Sequence, residues 1–276
     1  MRILLAILLF STAVNIGLGQ QSSSVPEELD TKIRIHRLTV DANNLPNGER
    51  ERITRSFEHH AYFGRELPEF EDEFQERIRQ AFRDLGYFKA RADELKLSVL
   101  RQAQRATDVD VSVKVDQGVQ YRLGDIRFVK ASLFPVDQLR AQFPIQEGDL
   151  FNATRFGDGL DNLRKLYATE GYINFVVGPV PQINESHRTI DLVLEIDEGK
   201  PYDFGRLFLD GTEPHPGAYK ALTDSWKSLQ GKRYNPLLLK QWLTANASAW
   251  PGAAASNWDL MQQFPYGTVD IKLQLP

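Results

Sequence analysis

The chain has 276 residues, 42% hydrophobic and 25% charged, ordinary globular values that allow one large domain or two to three small ones. A net charge of −4, from 33 Lys and Arg against 37 Asp and Glu, leaves no basic excess to neutralise phosphates and argues against a nucleic-acid partner. The absence of cysteine excludes disulfides, thiolate metal sites, catalytic thiols and an acylated lipoprotein cysteine.

Residues 1–19 read as a signal peptide: Arg2 supplies the positive end, Ile3 to Val14 an apolar run, and Gly17-Leu18-Gly19 a small-x-small cleavage site. An uncleaved anchor helix is the competing reading. Residues 20–30, with Ser22-Ser23-Ser24 and Pro26, form a polar tether. No later stretch reaches the ~20 apolar residues a spanning helix needs, so no transmembrane segment is expected after signal removal.

A first strand follows at Ile33–Val40, where apolar residues alternate. Phe70, Phe74, Ile78, Phe82 and Leu85 then form a helical stripe, with Pro68 near its start. Glu69, Glu71, Asp72 and Glu73 crowd the N-terminal end, and Arg77, Arg79 and Arg83 follow, as the helix dipole favours. Gly86-Tyr87 ends that helix, the glycine suited to a left-handed stop. The residues Phe88, Lys89, Ala90, Arg91 and Ala92 are expected to open the next strand. Val109–Val115 closes the unit, apolar at alternate positions, with a polar face of Asp110, Ser112 and Lys114.

The same order then recurs. Tyr121–Val129 and Tyr202–Leu209 read as first strands. Val136, Leu139 and Phe143, and later Tyr219, Leu222, Trp226 and Leu229, mark short first helices. Phe156, Leu160, Leu163 and Tyr167 repeat the helical stripe, ended by Gly171-Tyr172 and followed by a strand expected at Ile173, Asn174, Phe175, Val176 and Val177. Asn235-Pro236 is a cap and first-turn pair for the third unit, which lacks the Gly-Tyr. The closing strands are Ile190–Ile196 and Val269–Leu275.

Two unrelated markers share one period. The glycines of Gly64-Arg65-Glu66-Leu67-Pro68, Gly148-Asp149-Leu150-Phe151-Asn152 and Gly231-Lys232-Arg233-Tyr234-Asn235 lie 84 and 83 residues apart, and Asp110, Asp191 and Asp270 lie 81 and 79 apart. The chain therefore reads as α+β, with three tandem β-α-α-β-β repeats at 31–118, 119–200 and 201–276. Each is expected to be a three-stranded sheet with two helices on one face.

Nothing points to catalysis, a metal or a cofactor. Of five histidines, His59-His60 are adjacent and their side chains diverge, whereas a shared metal prefers i, i+4 spacing. The carboxylates at the start of the helical stripe are explained by the dipole. Recurrence of Asp110, Asp191 and Asp270 at one strand position points to a structural role. No phosphate loop, nucleophile elbow or His-Glu-x-x-His sequence occurs. Trp226 fits a core position. Trp250-Pro251-Gly252 falls in a loop, where an exposed aromatic would mark a contact surface.

The order β-α-α-β-β, the Gly-Tyr after the second helix and the closing strands before Asp116-Gln117-Gly118 and Asp197-Glu198-Gly199 resemble the POTRA domain. The second unit is most similar. Its Gly124-Asp125-Ile126, Glu147-Gly148-Asp149, Glu170-Gly171-Tyr172 and Glu198-Gly199-Lys200 look like the periplasmic POTRA repeats of the outer-membrane assembly factor BamA. In those proteins the repeats precede a membrane β-barrel, and no run of barrel strands remains here before Pro276. The resemblance implies a periplasmic, non-enzymatic scaffold for outer-membrane or envelope polypeptides. It also implies that the strand after Gly-Tyr lies on a sheet edge and accepts an added strand.

Pro179 and Pro181, two apart, would blunt that edge in the second unit if they face outward. The first unit's edge is then the better docking candidate. A structural connector between envelope components that binds no client is the alternative. An enzyme-associated module acting on cell wall or lipid is a further one, without a catalytic residue to carry it.

Overall fold

The computed structural model describes residues 32–57, 61–63, 67–103, 106–213, 215–248, 258–263 and 266–274. The signal segment, the tether, His59-His60, Gly64-Arg65-Glu66 and Trp250-Pro251-Gly252 lie outside them. The described residues fall into two bodies: one joins the chain up to Ala168 with Tyr172–Gly199, the other joins Thr169–Gly171 with the residues from Lys200 onward.

The first repeat contains β1 (Lys32–Ala42), α1 (Asn47–Phe57), β2 (Ala61–Phe63), α2 (Leu67–Arg83), β3 (Arg91–Ala103) and β4 (Ala106–Asp116). The second contains β5 (Arg122–Val129), α3 (Val136–Arg140), α4 (Ala153–Thr169), β6 (Val176–Asn184) and β7 (Thr189–Asp197). The third contains β8 (Asp203–Asp210), α5 (Ala218–Trp226), α6 (Pro236–Ala245), β9 (Trp258–Gln263) and β10 (Thr268–Gln274). In each sheet the closing strand is central. It runs parallel to the first strand and antiparallel to the strand before it, giving orders β5-β7-β6 and β8-β10-β9.

The first sheet departs from the expected three strands. Its order is β2-β1-β4-β3, because the short β2 adds antiparallel to the start of β1. The later repeats keep only single bridges there, Arg122 with Leu150 and Asp203 with Arg233. Helix α1 is the element the sequence hid, since Ile53 and Phe57 are its only buried residues in eleven.

Cores form where the periodicities placed them. Phe70, Phe74, Ile78 and Phe82 pack against Val109, Val111, Val113 and Val115 of β4. In the second repeat Phe156, Leu160, Leu163 and Tyr167 meet Ile190, Leu192, Leu194 and Ile196 of β7. Each such side chain contributes about 1.5–3 kcal/mol by leaving water. Val136, read as a core position of α3, is exposed instead; Leu139 and Phe143 are buried. Trp226 is buried, its Nε1 donating to Gly205 O at 3.0 Å, and packs edge-on to Trp242.

The recurring aspartate faces the same β-bulge in all three repeats. The register between first and closing strands shifts at Ile35/Arg37, at Leu123/Ile126 and, in the third sheet, at Val269/Ile271. Asp191 Oδ1 accepts the bulged Asp125 N–H at 3.0 Å, and Asp270 Oδ1 accepts that of Arg206 at 2.6 Å. Gly124 and Gly205 leave room for these carboxylates: a Cβ there would lie 1.9 and 2.1 Å from them. The first repeat has His36 in the bulge, and Asp110 binds its Nδ1 at 3.0 Å. The aspartates thus have the structural role their recurrence implied.

Candidate strand-docking edges

The turn after the second helix sets where each edge strand begins. Gly86 and Gly171 hold φ of 90° and 82°, as a left-handed helix stop requires. Tyr87 N–H returns to Phe82 O and Tyr172 N–H to Tyr167 O, closing the helix ends. Tyr87 Oη donates to Glu49 Oε2 at 3.1 Å, and burial together with that carboxylate pushes its pKa up to about 12.

The strands start later than the sequence indicated. Phe88 and Lys89 lie in the turn; Phe88 packs edge-on to Phe151, and Lys89 pairs with Glu185. Ala90 precedes β3, is 3% exposed, and donates its N–H to Tyr87 O at 3.1 Å. Only Arg91 and Ala92 of that group belong to the strand. Likewise Ile173 and Asn174 form a turn, and Phe175 is buried, its ring stacked on Tyr167. Val176 and Val177 begin β6, the first exposed and the second buried. Turning the chain out of a left-handed stop consumes about three residues, which the sequence reading had assigned to strand.

Both strands do lie on sheet edges, β3 beside β4 and β6 beside β7. β6 pairs with β7 from Val176 to Asn184 without a register shift. A proline nitrogen turned inward would delete a donor from that ladder, so the continuous pairing places the nitrogens of Pro179 and Pro181 on the open side. The register carries this over to the first repeat. Pro179 and Pro181 oppose Leu194 and Leu192, whereas Leu95 and Leu97 oppose Val113 and Val111 at the same distance from the bulge aspartate. Leu95 and Leu97 therefore hold the places of the two prolines, with their N–H groups on the open side.

β3 is the longer edge, with 13 residues against 9. Bulges at Ala92/Glu94 and Val99/Arg101 bracket a regular stretch, Glu94–Val99. Val99 and Leu100 are 49% and 52% exposed. The alternation of Leu95, Leu97 and Val99 is the sequence signal for this stretch, beyond the expected strand start at residues 88–92. On the opposite face Glu94 lies between Lys96 and Lys114 at 3.8 and 3.9 Å, exposed pairs of little energetic weight.

A carboxylate fixes the loop before α3. Glu198 Oε1 accepts the N–H groups of Ser132 and Leu133 at 2.7 and 2.9 Å and the Tyr167 hydroxyl at 3.0 Å; Oε2 accepts the Ser132 hydroxyl. Burial alone would raise the Glu198 pKa, but these donors outweigh it and hold the carboxyl below the usual glutamate range. The Tyr167 pKa is raised by burial and by Glu198. Among the described residues no group of His, Cys, Asp and Glu is placed to hold a metal ion, and no helix is long and apolar enough to cross a membrane.

Residues 121–199, the second repeat, match the POTRA family, described as a surface antigen variable number repeat. The chain is 25% identical over 166 residues to the outer membrane protein assembly factor BamA of Buchnera aphidicola, covering 60% of this chain and 26% of that protein. It is 22% identical over 113 residues to BamA of Neisseria meningitidis serogroup B, covering 37% and 14%. It thus spans about a quarter or less of these relatives' length. The solved POTRA3-5 segment of Haemophilus influenzae BamA matches with a TM-score of 0.63 at 18% identity, covering 89% of this chain and 96% of that one.

Proposed function

We propose that this chain, built of POTRA repeats, is a non-enzymatic periplasmic scaffold in outer-membrane protein assembly or secretion that receives extended polypeptides on the β3 edge. The observation that carries the reading is the contrast between two equivalent edges. β3 presents open-side N–H groups at Leu95 and Leu97, where β6 has prolines. Strand addition draws its affinity from such main-chain groups and asks little of the partner's sequence. The relatives, assembly factors of the outer membrane, supply the setting.

The test uses a labelled peptide of about ten alternating apolar and polar residues, the length and pattern of an outer-membrane strand. Binding is read by fluorescence anisotropy. Leu95→Pro with Leu97→Pro should weaken binding at least tenfold while circular dichroism stays native. Equal binding by a folded double variant would remove β3 from the mechanism and favour a connector that takes no client.

A further inference from the structure

The seam between the first two repeats lies inside one body, and each repeat completes the other's helix end there. The last carbonyls of a helix lack internal partners. Those following α2 are taken by the second repeat: Asn152 Nδ2 donates to Asp84 O at 2.9 Å, Gln120 Nε2 to Leu85 O at 2.9 Å, and Tyr121 N–H to Gly86 O at 2.8 Å. The first N–H groups of α4 also need acceptors. Asn152 Oδ1 caps Arg155 N–H from within the repeat, but Thr154 N–H and Oγ1 both donate to the Asp84 carboxylate, at 2.8 Å each. A carboxylate at a helix N-terminus is also favoured by the dipole.

A second fastening uses a different element. The turn between β6 and β7 carries Glu185, whose Oε1 pairs with the Lys89 ammonium and whose Oε2 accepts the Tyr121 hydroxyl at 2.6 Å. The Lys89 ammonium lies 5.8 Å from the centre of the Tyr121 ring. Phe88 and Phe151 pack edge to face beside the linker at 5.2 Å.

We infer that the first two repeats form one rigid arm whose angle is held by two carboxylate clasps: Asp84 on the start of α4, and Glu185, steadied by Tyr121 of its own repeat, on Lys89. Asp84 reaches forward from the first repeat and Glu185 reaches back from the second. Rotation about the Gln117–Gln120 linker must break one of them. The arm holds β3 at a fixed orientation to the second repeat, whatever binds to it.

The chain has no cysteine, so two introduced thiols take spin labels without background. Labels at Arg52→Cys on α1 and Lys165→Cys on α4, both exposed, report the distance across the seam by double electron–electron resonance. A single narrow distribution is expected in the parent. Asp84→Ala with Glu185→Ala should broaden it at least twofold. A control pair within the second repeat, Gln138→Cys and Lys165→Cys, should not change. Should the alanines disturb that control, Thr154→Val and Glu185→Gln replace them, with the same broadening expected. A parent as broad as its clasp variants, or clasp variants as narrow as the parent, would overturn the inference.

Discussion

The first two repeats share an architecture and differ at the edge that the architecture exposes. Both place the strand after the Gly-Tyr turn beside the closing strand, and both leave its outer side unpaired within the sheet. In the second repeat Pro179 and Pro181 remove two donors from that side; in the first, Leu95 and Leu97 keep them. The fold creates an edge in every copy, and the residues at two positions set how many open-side donors it offers. The number of open-side donors is therefore a property of residue identity at these positions, and it differs between the two copies without any change of fold.

The largest expected effect comes from reversing the contrast. Pro179→Leu with Pro181→Leu should give β6 the donors that β3 has. Titration calorimetry with the alternating peptide should then show one more site per chain than the parent has, the new one within about tenfold of the β3 site. A count unchanged from the parent would mean that β6 is closed by something other than its prolines. A parent that loses no site on Leu95→Pro with Leu97→Pro would erase the distinction between the first two repeats.

The bulge offers a second comparison. Gly124→Ala puts a Cβ 1.9 Å from Asp191 Oδ1 and must displace the acceptor of Asp125 N–H. The expected loss is about 2 kcal/mol in chemical denaturation, the cost of orphaning a hydrogen-bonded group. At the equivalent place in the first repeat His36 already carries a side chain, and its pair with Asp110 is exposed. His36→Ala should cost about 0.5 kcal/mol or less. Similar losses at both sites would show that the two bulges are not built differently.

The helix stops come next. Gly86→Ala should cost about 1–2 kcal/mol, the price of a Cβ in the left-handed region. At Gly171 a Cβ would also sit 2.5 Å from Tyr202 O, a backbone atom that cannot swing away, so Gly171→Ala should cost more. Equal melting shifts for the two variants would contradict that contact.

The elements with a strict period were legible in the sequence. Phe70, Phe74, Ile78 and Phe82 announced α2 because one face of that helix is wholly buried. The closing strands alternated because only one face of each sheet is covered. Helix α1 was not legible: its two buried residues leave no stripe to detect. The edge strands were placed early because Phe88, Ala90 and Phe175 are apolar for packing in a turn, and local pattern does not separate a buried turn from a strand start. The clasp residues Asp84 and Glu185 carried no signal, since their partners lie 70 and 96 positions away in the chain.

The smallest effect concerns the loop clamp, where the two repeats again differ by two residues. Tyr87 N–H bonds Phe82 O and Tyr172 N–H bonds Tyr167 O, so Phe82 stands where the second repeat has Tyr167. Asp116-Gln117-Gly118 matches Asp197-Glu198-Gly199, both glycines at φ near 67°, so Gln117 stands for Glu198. Without the tyrosine hydroxyl, Gln117 is buried and its Oε1 has no partner among the described residues. Glu198→Gln would bring that neutral side chain to the second repeat. It keeps Oε1 for Ser132 and Leu133 N–H but replaces the acceptor of the Ser132 hydroxyl with a donor, for an expected loss of about 1 kcal/mol at neutral pH. The pH dependence has a fixed sign. The Glu198 pKa is lowered in the folded chain, so its contribution is present above the ordinary glutamate value of 4.5 and is lost as pH falls through the folded value. Urea midpoints of the parent and Glu198→Gln should therefore differ at pH 7 and converge once the pH has fallen below the folded Glu198 value. A gap that stays constant down to that pH would assign the loss to packing rather than to the charged clamp.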